Sequence, residues 1–394
     1  MQILSSVQRG VGYREIDLVM QAARTFLSNG GDGGLKAALT QPLDWPAIER
    51  RADRHSMMPP IAYALTQYGE NLVPLEVRER LQQRLLFTAK SNLKWLQEWC
   101  RILATFEAAG VPVISFKGPA LALLAYPNLA LREFGDLDLL VRPADVFRAR
   151  NVLAGEGYEL RFSSGGDTDA ALLRSGNQQT DLVNGRGMLI DLHWGLLHEM
   201  FSFQLPVDEL FESAQAEYRE GLSFLSLSPE HLLLYLCAHG TKHCWLNLRE
   251  LLDVVCHLQT AQKLDWGLCM RLAESVNCEL VLKHSLLLAE QVLGLELPAA
   301  IKNDCDDAKA LMLARRAASL LFQEDGDLGY GKALRYHLTF AKGWRDRAHL
   351  IFERVFVPAE VDWQKVRLPR SLHFLYYAVR PVRFIFERFS RPGI

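Results

Sequence analysis

A chain of 394 residues, 49% hydrophobic and 23% charged, has the profile of a globular protein and the length of about two or three domains. Its formal net charge of −2 excludes a global basic field for nucleic acid, and no apolar run reaches the roughly eighteen residues that would span a bilayer. The first twenty residues lack the apolar segment and cleavage site of a secretory signal, and seven scattered cysteines form no Cys-x-x-Cys pair. These features predict a cytoplasmic protein with reduced core thiols, no disulfide framework and no cysteine-based zinc site.

Residues 1–110 read as helical. In 15–27, Ile16, Val19, Met20, Ala23 and Phe26 fall at helical spacing. The glycine-rich stretch 28–34 is an interhelical loop. No strand precedes it and no Gly-Lys-Ser/Thr follows, so it is not a phosphate loop. Pro59-Pro60 marks a turn or helix start. A long helical stretch with breaks then runs over 75–109, with Trp95, Leu96, Trp99, Leu103 and Phe106 on its apolar face.

Residues 111–227 read as α/β. The expected order is a strand at 111–116, a short helix at 120–125 and a strand at 134–141. A helix at 143–155, a strand at 158–162, a loop at 163–168 and a hairpin over 177–194 follow. Pro143 stands near the start of its helix, and Gly155 and Gly157 follow its end. On the strand 134–141, Asp136 and Asp138 are two residues apart and project to one face. Two adjacent like charges repel unless a cation lies between them. Hard divalent ions bind through such carboxylates together with substrate phosphates. The pair therefore points to metal-dependent phosphoryl or nucleotidyl chemistry.

Asn184-Gly185 signals a hairpin turn. In its second arm Met188, Ile190, Leu192 and Trp194 face one way, and Leu189, Asp191 and His193 the other. A carboxylate in mid-strand is costly without a partner. If this arm lies beside 134–141, Asp191 completes a three-acid metal cluster. Otherwise it pairs with a base such as Arg132 or Arg186.

Residues 228–300 read as a helical bundle, with helices at 229–239, 247–260, 266–276 and 280–293; Ser228-Pro229-Glu230 is a helix start. Residues 301–394 carry a helical run at 306–322, a glycine-containing loop at 325–331 and a basic, aromatic tail. From 364 onward Lys365, Arg367, Arg370, Arg380, Arg383, Arg388 and Arg391 stand against Glu387, interleaved with aromatic residues. Such a segment either packs its aromatics on the core or makes peripheral contact with an anionic membrane surface. Pro381 would break or kink a helix there.

Several of these residues together resemble the uncharacterised nucleotidyltransferase family of the DNA polymerase β superfamily. They are Lys117-Gly118, Tyr126-Pro127, Arg132, Gly135-Asp136-x-Asp138 and Asp191-Leu192-His193-Trp194. Further on come His239-Gly-Thr-Lys242-His243 with Trp245, Leu248 and Asp253. The similarity spans roughly residues 90–298. Two departures stand out: Pro119 follows the glycine where a small polar residue is usual, and the gap from Gly118 to Asp136 is long.

The resemblance implies an α+β protein, with a mixed-sheet nucleotidyltransferase core at 111–227. Helical regions would flank it at 1–110 and 301–394, and the bundle at 228–300 would close the nucleotide site. It implies Mg²⁺, or Mn²⁺, and an NTP donor. Asp136 and Asp138 would bridge two metal ions, and Asp191 would bind the one nearer the acceptor. Lys117 and the amides after Gly118 would hold the triphosphate. Arg132 would contact phosphate or orient Asp136. His193 would touch acceptor or nucleotide, or serve as a hydrogen-bonded structural group. His239 and Lys242 would reach the nucleotide from the helical side, with Asp253 orienting Lys242 or pairing with Arg249.

His239 and His243 also have the i, i+4 spacing of a zinc pair. Against that reading, no Glu follows the first histidine and Gly240 weakens the helix. The acceptor would be a small-molecule or protein hydroxyl, and the charge balance disfavours nucleic acid. The competing function is a non-catalytic nucleotide-binding or regulatory protein that keeps the fold.

Overall fold

The computed structural model describes residues 13–31, 33–161, 178–196, 204–261, 264–321, 328–357, 362, 366 and 368–390. The loop at 163–168, residues 325–327 of the loop expected at 325–331, and Lys365, Arg367 and Arg391 of the tail lie outside these residues; 329–331 are helical instead.

Among the described residues five helices come first: α1 (Tyr13–Leu27), α2 (Gly34–Leu39), α3 (Trp45–Arg54), α4 (Met58–Tyr68) and α5 (Leu75–Ala108). The α1 stripe of Ile16, Val19, Met20, Ala23 and Phe26 is buried. Asp44 caps α3 by accepting from the Ala47 amide at 3.1 Å. Pro59 and Pro60 sit in the first turn of α4, where a missing N–H costs nothing. The expected breaks in 75–109 do not occur. α5 is one 34-residue helix, because no glycine or proline interrupts it.

The sheet has five strands: β1 (Ile114–Ser115), β2 (Leu137–Leu140), β3 (Tyr158–Leu160), β4 (Gln179–Asn184) and β5 (Leu189–His193). Their order is β1-β2-β5-β4-β3; β2 and β5 run parallel and the other neighbours antiparallel. β1 and β2 are shorter than expected. The apolar runs around them continue, since Val111, Phe116 and Val141 are buried, but the ladder does not. Between these strands lie α6 (Gly118–Ala125) and α7 (Val146–Gly155). One face of the sheet buries Leu137, Leu139, Ile190 and Leu192 against Trp99, Ile102 and Phe106 of α5 and Val146, Ala149 and Leu153 of α7.

After α8 (Val207–Glu212) comes an element with no counterpart in the sequence expectations, the hairpin β6 (Gln215–Arg219) and β7 (Leu222–Ser226). Glu220 and Gly221 both take positive φ at its turn, as a tight two-residue connection requires. Four helices follow: α9 (Pro229–Lys242), α10 (Leu248–Thr260), α11 (Trp266–Ser275) and α12 (Glu279–Leu293). The side chains of Ser228, Asn247 and Asp265 cap the first three. Their core is continuous with that of α1–α4. The chain is therefore α+β, a small mixed sheet set among helices.

The last helices are α13 (Ala299–Asp304), α14 (Ala308–Leu321), α15 (Gly329–Leu338), α16 (Trp344–Val355) and α17 (Tyr376–Ser390). Pro381 lies inside α17 without ending it. Two tail arginines are not simply solvated: Arg380 and Arg383 bind the buried carboxylate of Asp362 at 3.0 and 2.6 Å. Phe374 and Tyr377 of the same segment are exposed. Among the described residues no helix is long and apolar enough to cross a membrane.

One buried ion pair joins the approach to β2 to the helical bundle. Arg132 donates through Nε and Nη2 to the two oxygens of Asp253 on α10, at 2.8 and 2.9 Å. The Tyr126 hydroxyl donates to the same carboxylate at 2.6 Å, and Asn92 of α5 donates to the Arg132 carbonyl at 2.8 Å. The hydrogen-bond partners of Asp253 are thus Arg132 and Tyr126, while Arg249 acts on it through its charge alone. This pairing also commits the Arg132 guanidinium to Asp253, while its charge still acts on Asp136 and Asp138. Burial alone would raise the Asp253 pKa, but Arg132 and the hydrogen bonds to Arg132 and Tyr126 hold it below the ordinary carboxylate value.

Arg132→Met should cost about 3–5 kcal/mol in urea unfolding, because it strands a buried carboxylate. Adding Asp253→Leu should recover part of that loss. A single variant as stable as the parent would show that the pair does not hold the fold.

Candidate active site

Parallel pairing of β2 with β5 sets Asp138 directly opposite Asp191 and Leu140 opposite His193. Strand alternation sends Leu137, Leu139, Ile190 and Leu192 to the core face. Asp138, Asp191 and His193 are left on the other face. One potential ligand atom from each lies within 4.8 Å of the other two. The His193 Nε2 is 3.6 Å from an Asp138 oxygen. The alternative partners proposed for Asp191 are engaged elsewhere: Arg132 with Asp253, and Arg186 with Glu98 at 2.8 Å. Asp136 stands one residue before β2 and lines the same cavity.

These groups are poorly satisfied as they stand. Asp138 Oδ2, Asp191 Oδ1 and both ring nitrogens of His193 are buried without a hydrogen-bond partner. Orphaned buried polar atoms call for a missing ion or water. Burial, followed by the charges of Asp138, Asp181 and Asp136, pushes the Asp191 carboxyl up to about 8. Burial also raises Asp136, with Asp138 adding to the effect. Burial works against ionised Asp138 as well, yet Lys117 and His193 hold it down at about 2. Three acids this close cannot all ionise in the absence of a cation. Two carboxylates and an imidazole with open lone pairs suit Mg²⁺ or, with the nitrogen donor, Mn²⁺. Asp181, opposite Asp191 on β4, is a fourth acid that sequence reading did not single out; Arg161 lies 3.7 Å from it.

Lys117 precedes α6 and lies between two groups. Its Nζ is 3.8 Å from Asp138 Oδ1 and 3.4 Å from His239 Nε2. Gly118 sits behind it at φ 52°, and a Cβ there would come within 2.9 Å of the Asp136 carbonyl oxygen. Both the φ and the close approach require glycine, so this residue presses the loop against the start of β2. Arg132 Nη1, the group not engaged with Asp253, donates to the Gly118 carbonyl at 3.5 Å, and Arg132 does not line the cavity.

The cavity holds about 760 Å³ and is walled opposite the acids by α9 and α10. α9 runs through Gly240 to Lys242. Gly240 does not end it and makes room for Trp245, whose ring would lie 2.4 Å from an added Cβ. Tyr235, His239, Lys242 and His243 therefore share one wall with Arg249 and Glu250. Burial, with Lys117 next, keeps His239 far below its usual pKa and lowers Lys242. His337 and Arg354, from α15 and α16, complete the rim. None of Arg249, Glu250, His337 or Arg354 was identified as a site residue from sequence. Only the spacing of Glu250, seven residues after His243, offered a signal.

Acids on a mixed sheet thus face a helical wall rich in lysine, arginine and histidine across a cavity of ligand size. The chain belongs to a family described as uncharacterised nucleotidyltransferases, whose family model matches residues 41–294. That span contains every acid of the cluster and ends before α15 and α16. No curated protein and no solved structure matches the chain.

The raised pKa of Asp191 has a pH signature. Its stabilising contribution is complete below the ordinary carboxylate value and is lost as pH rises toward about 8. In chelator, the melting temperature should fall between pH 5 and pH 8, and Asp191→Asn should flatten that slope and melt higher at pH 8. A parent slope identical to that of the variant would remove the coupled cluster.

Proposed function

We propose that this protein transfers a nucleoside monophosphate from an NTP to a hydroxyl of a small molecule or protein, dependent on Mg²⁺ or Mn²⁺. The observation that carries the reading is the register of Asp138 against Asp191, with a buried unpartnered oxygen on each. Asp136, Asp138 and Asp191 would hold the metal, with His193 as an added nitrogen donor. Bound there, the metal would neutralise charge developing on the phosphoryl oxygens.

The chain's own groups supply the rest. The acceptor oxygen bonds to the α-phosphorus, the bond from that phosphorus to the bridging oxygen breaks, and pyrophosphate leaves. Asp191, once ionised, is the base placed to take the acceptor proton. Lys117, 3.8 Å from Asp138, lies where a phosphate chain would run, and Lys242 adds a second cation on the facing wall. His239 steers the Lys117 ammonium through their 3.4 Å contact. Arg132 supports the site by holding the approach to β2. The balance of four carboxylates against four lysine or arginine cations along the cavity, with a net chain charge of −2, favours a small or protein acceptor over nucleic acid.

The test is incubation of the full chain with each labelled NTP, Mg²⁺ and cell extract. Label should pass to one acceptor class, and Asp138→Asn should reduce transfer to background while the fold holds. Mg²⁺ and the preferred NTP should together raise the melting temperature, since both bind the native state. Asp191→Ala should lose most of that rise. Full turnover by Asp138→Asn overturns the assignment. A melting curve unmoved by any NTP with Mg²⁺ or Mn²⁺ would instead make this a non-catalytic member of the fold.

A further inference from the structure

His239, His243 and Glu250 form a second cluster on the helical wall. A ligand atom from each lies within 4.8 Å of the other two. His239 and His243 are one turn apart on α9, and Glu250 comes from the first turn of α10. One oxygen of Glu250 serves both imidazoles: it is bonded to His243 Nδ1 and lies 3.6 Å from His239 Nε2. The other, Oε2, is buried without a partner, and Glu250 is 8% exposed and lines the cavity.

We propose that His239, His243 and Glu250 bind a borderline transition-metal dication such as Zn²⁺, at a site separate from the carboxylates of the sheet. Two neutral imidazoles and a carboxylate, with a position open to a cavity, are a donor set that Zn²⁺ accepts. Mg²⁺ prefers oxygen donors. The carboxylate comes from the next helix, not from the residue after the first histidine, so a single-helix motif does not reveal it. The ion would replace the hydrogen between His243 Nδ1 and Glu250, and the imidazole would keep its proton on Nε2. It would also displace Lys117 from His239 Nε2, leaving that ammonium to Asp138 and to phosphate. Its ligands belong to helices and the acids to strands, so the two ion sites can be emptied separately, while His239 also contacts Lys117 of the proposed transfer site.

The test uses the full chain stripped of metal and titrated with Co²⁺, whose visible absorption reports nitrogen-containing, low-coordinate sites. One equivalent should develop the band, in the parent and equally in Asp138→Asn/Asp191→Asn, where the sheet cluster is disabled. Excess Mg²⁺ should not bleach it, and Zn²⁺ should. His243→Ala and Glu250→Gln should each weaken Co²⁺ binding by about tenfold or more, since even outer-sphere changes cost that much. The side chain of His243 is 45% exposed, so its variant should fold, as a circular dichroism melt would verify. If Glu250→Gln unfolds, His243→Ala decides alone. No band, a band lost with the aspartates, or a band untouched by His243→Ala would overturn the proposal.

Discussion

Two carboxylates held side by side, on adjacent parallel strands, are the constraint around which the rest of this protein is arranged. The β2–β5 register cannot slip by one residue without turning Leu139 and Leu192 out of the core. Packing on one face of the sheet therefore fixes repulsion on the other. Burying like charges together is unfavourable unless cations or protons offset them. Lys117, the proton that raised Asp191 retains and the His193 imidazole beside Asp138 are the offsets in the chain itself. A metal ion would be a stronger one.

The surroundings of this pair keep its geometry rigid. Gly118 lies against the Asp136 carbonyl, and Arg132 ties the segment ahead of β2 to Asp253 on α10. The sheet and the helical wall thus meet through a buried ion pair that does not itself enter the cavity. The wall opposite the acids is nitrogen-rich, drawn from α9 and α10, with His337 and Arg354 from beyond the segment that the family model covers.

Much of this was legible in the sequence, for identifiable reasons. The four helices between residues 229 and 293 show their caps and apolar periodicity locally, and the observed ends fall within a few residues of the expected ones. Asp136, Asp138, Asp191 and His193 were visible because strand alternation states which residues share a face. Strand lengths were overread, since an apolar run marks burial and not hydrogen bonding; Val111 and Phe116 are buried outside β1. The hairpin β6–β7 was missed because its first strand is largely exposed and lacks a clear alternation. Partnerships across long separations were not legible at all. Arg132 and Asp253 are 121 residues apart, and no local pattern tells an arginine whether it will meet a phosphate or a buried aspartate. Glu250 was overlooked for a similar reason, since its histidine partners lie on another helix.

The most direct test of the paired carboxylates is calorimetry of Mn²⁺ binding to the metal-stripped full chain at pH 7, in buffers of different ionisation enthalpy. Burial and the neighbouring carboxylates push the Asp191 carboxyl up to about 8, and it must ionise to become a ligand. Binding should therefore release a proton, and affinity should rise between pH 6 and pH 8. Asp191→Asn should bind weakly and release none. Tight Mn²⁺ binding with no proton release and no pH dependence would contradict a metal centre built on these two strands.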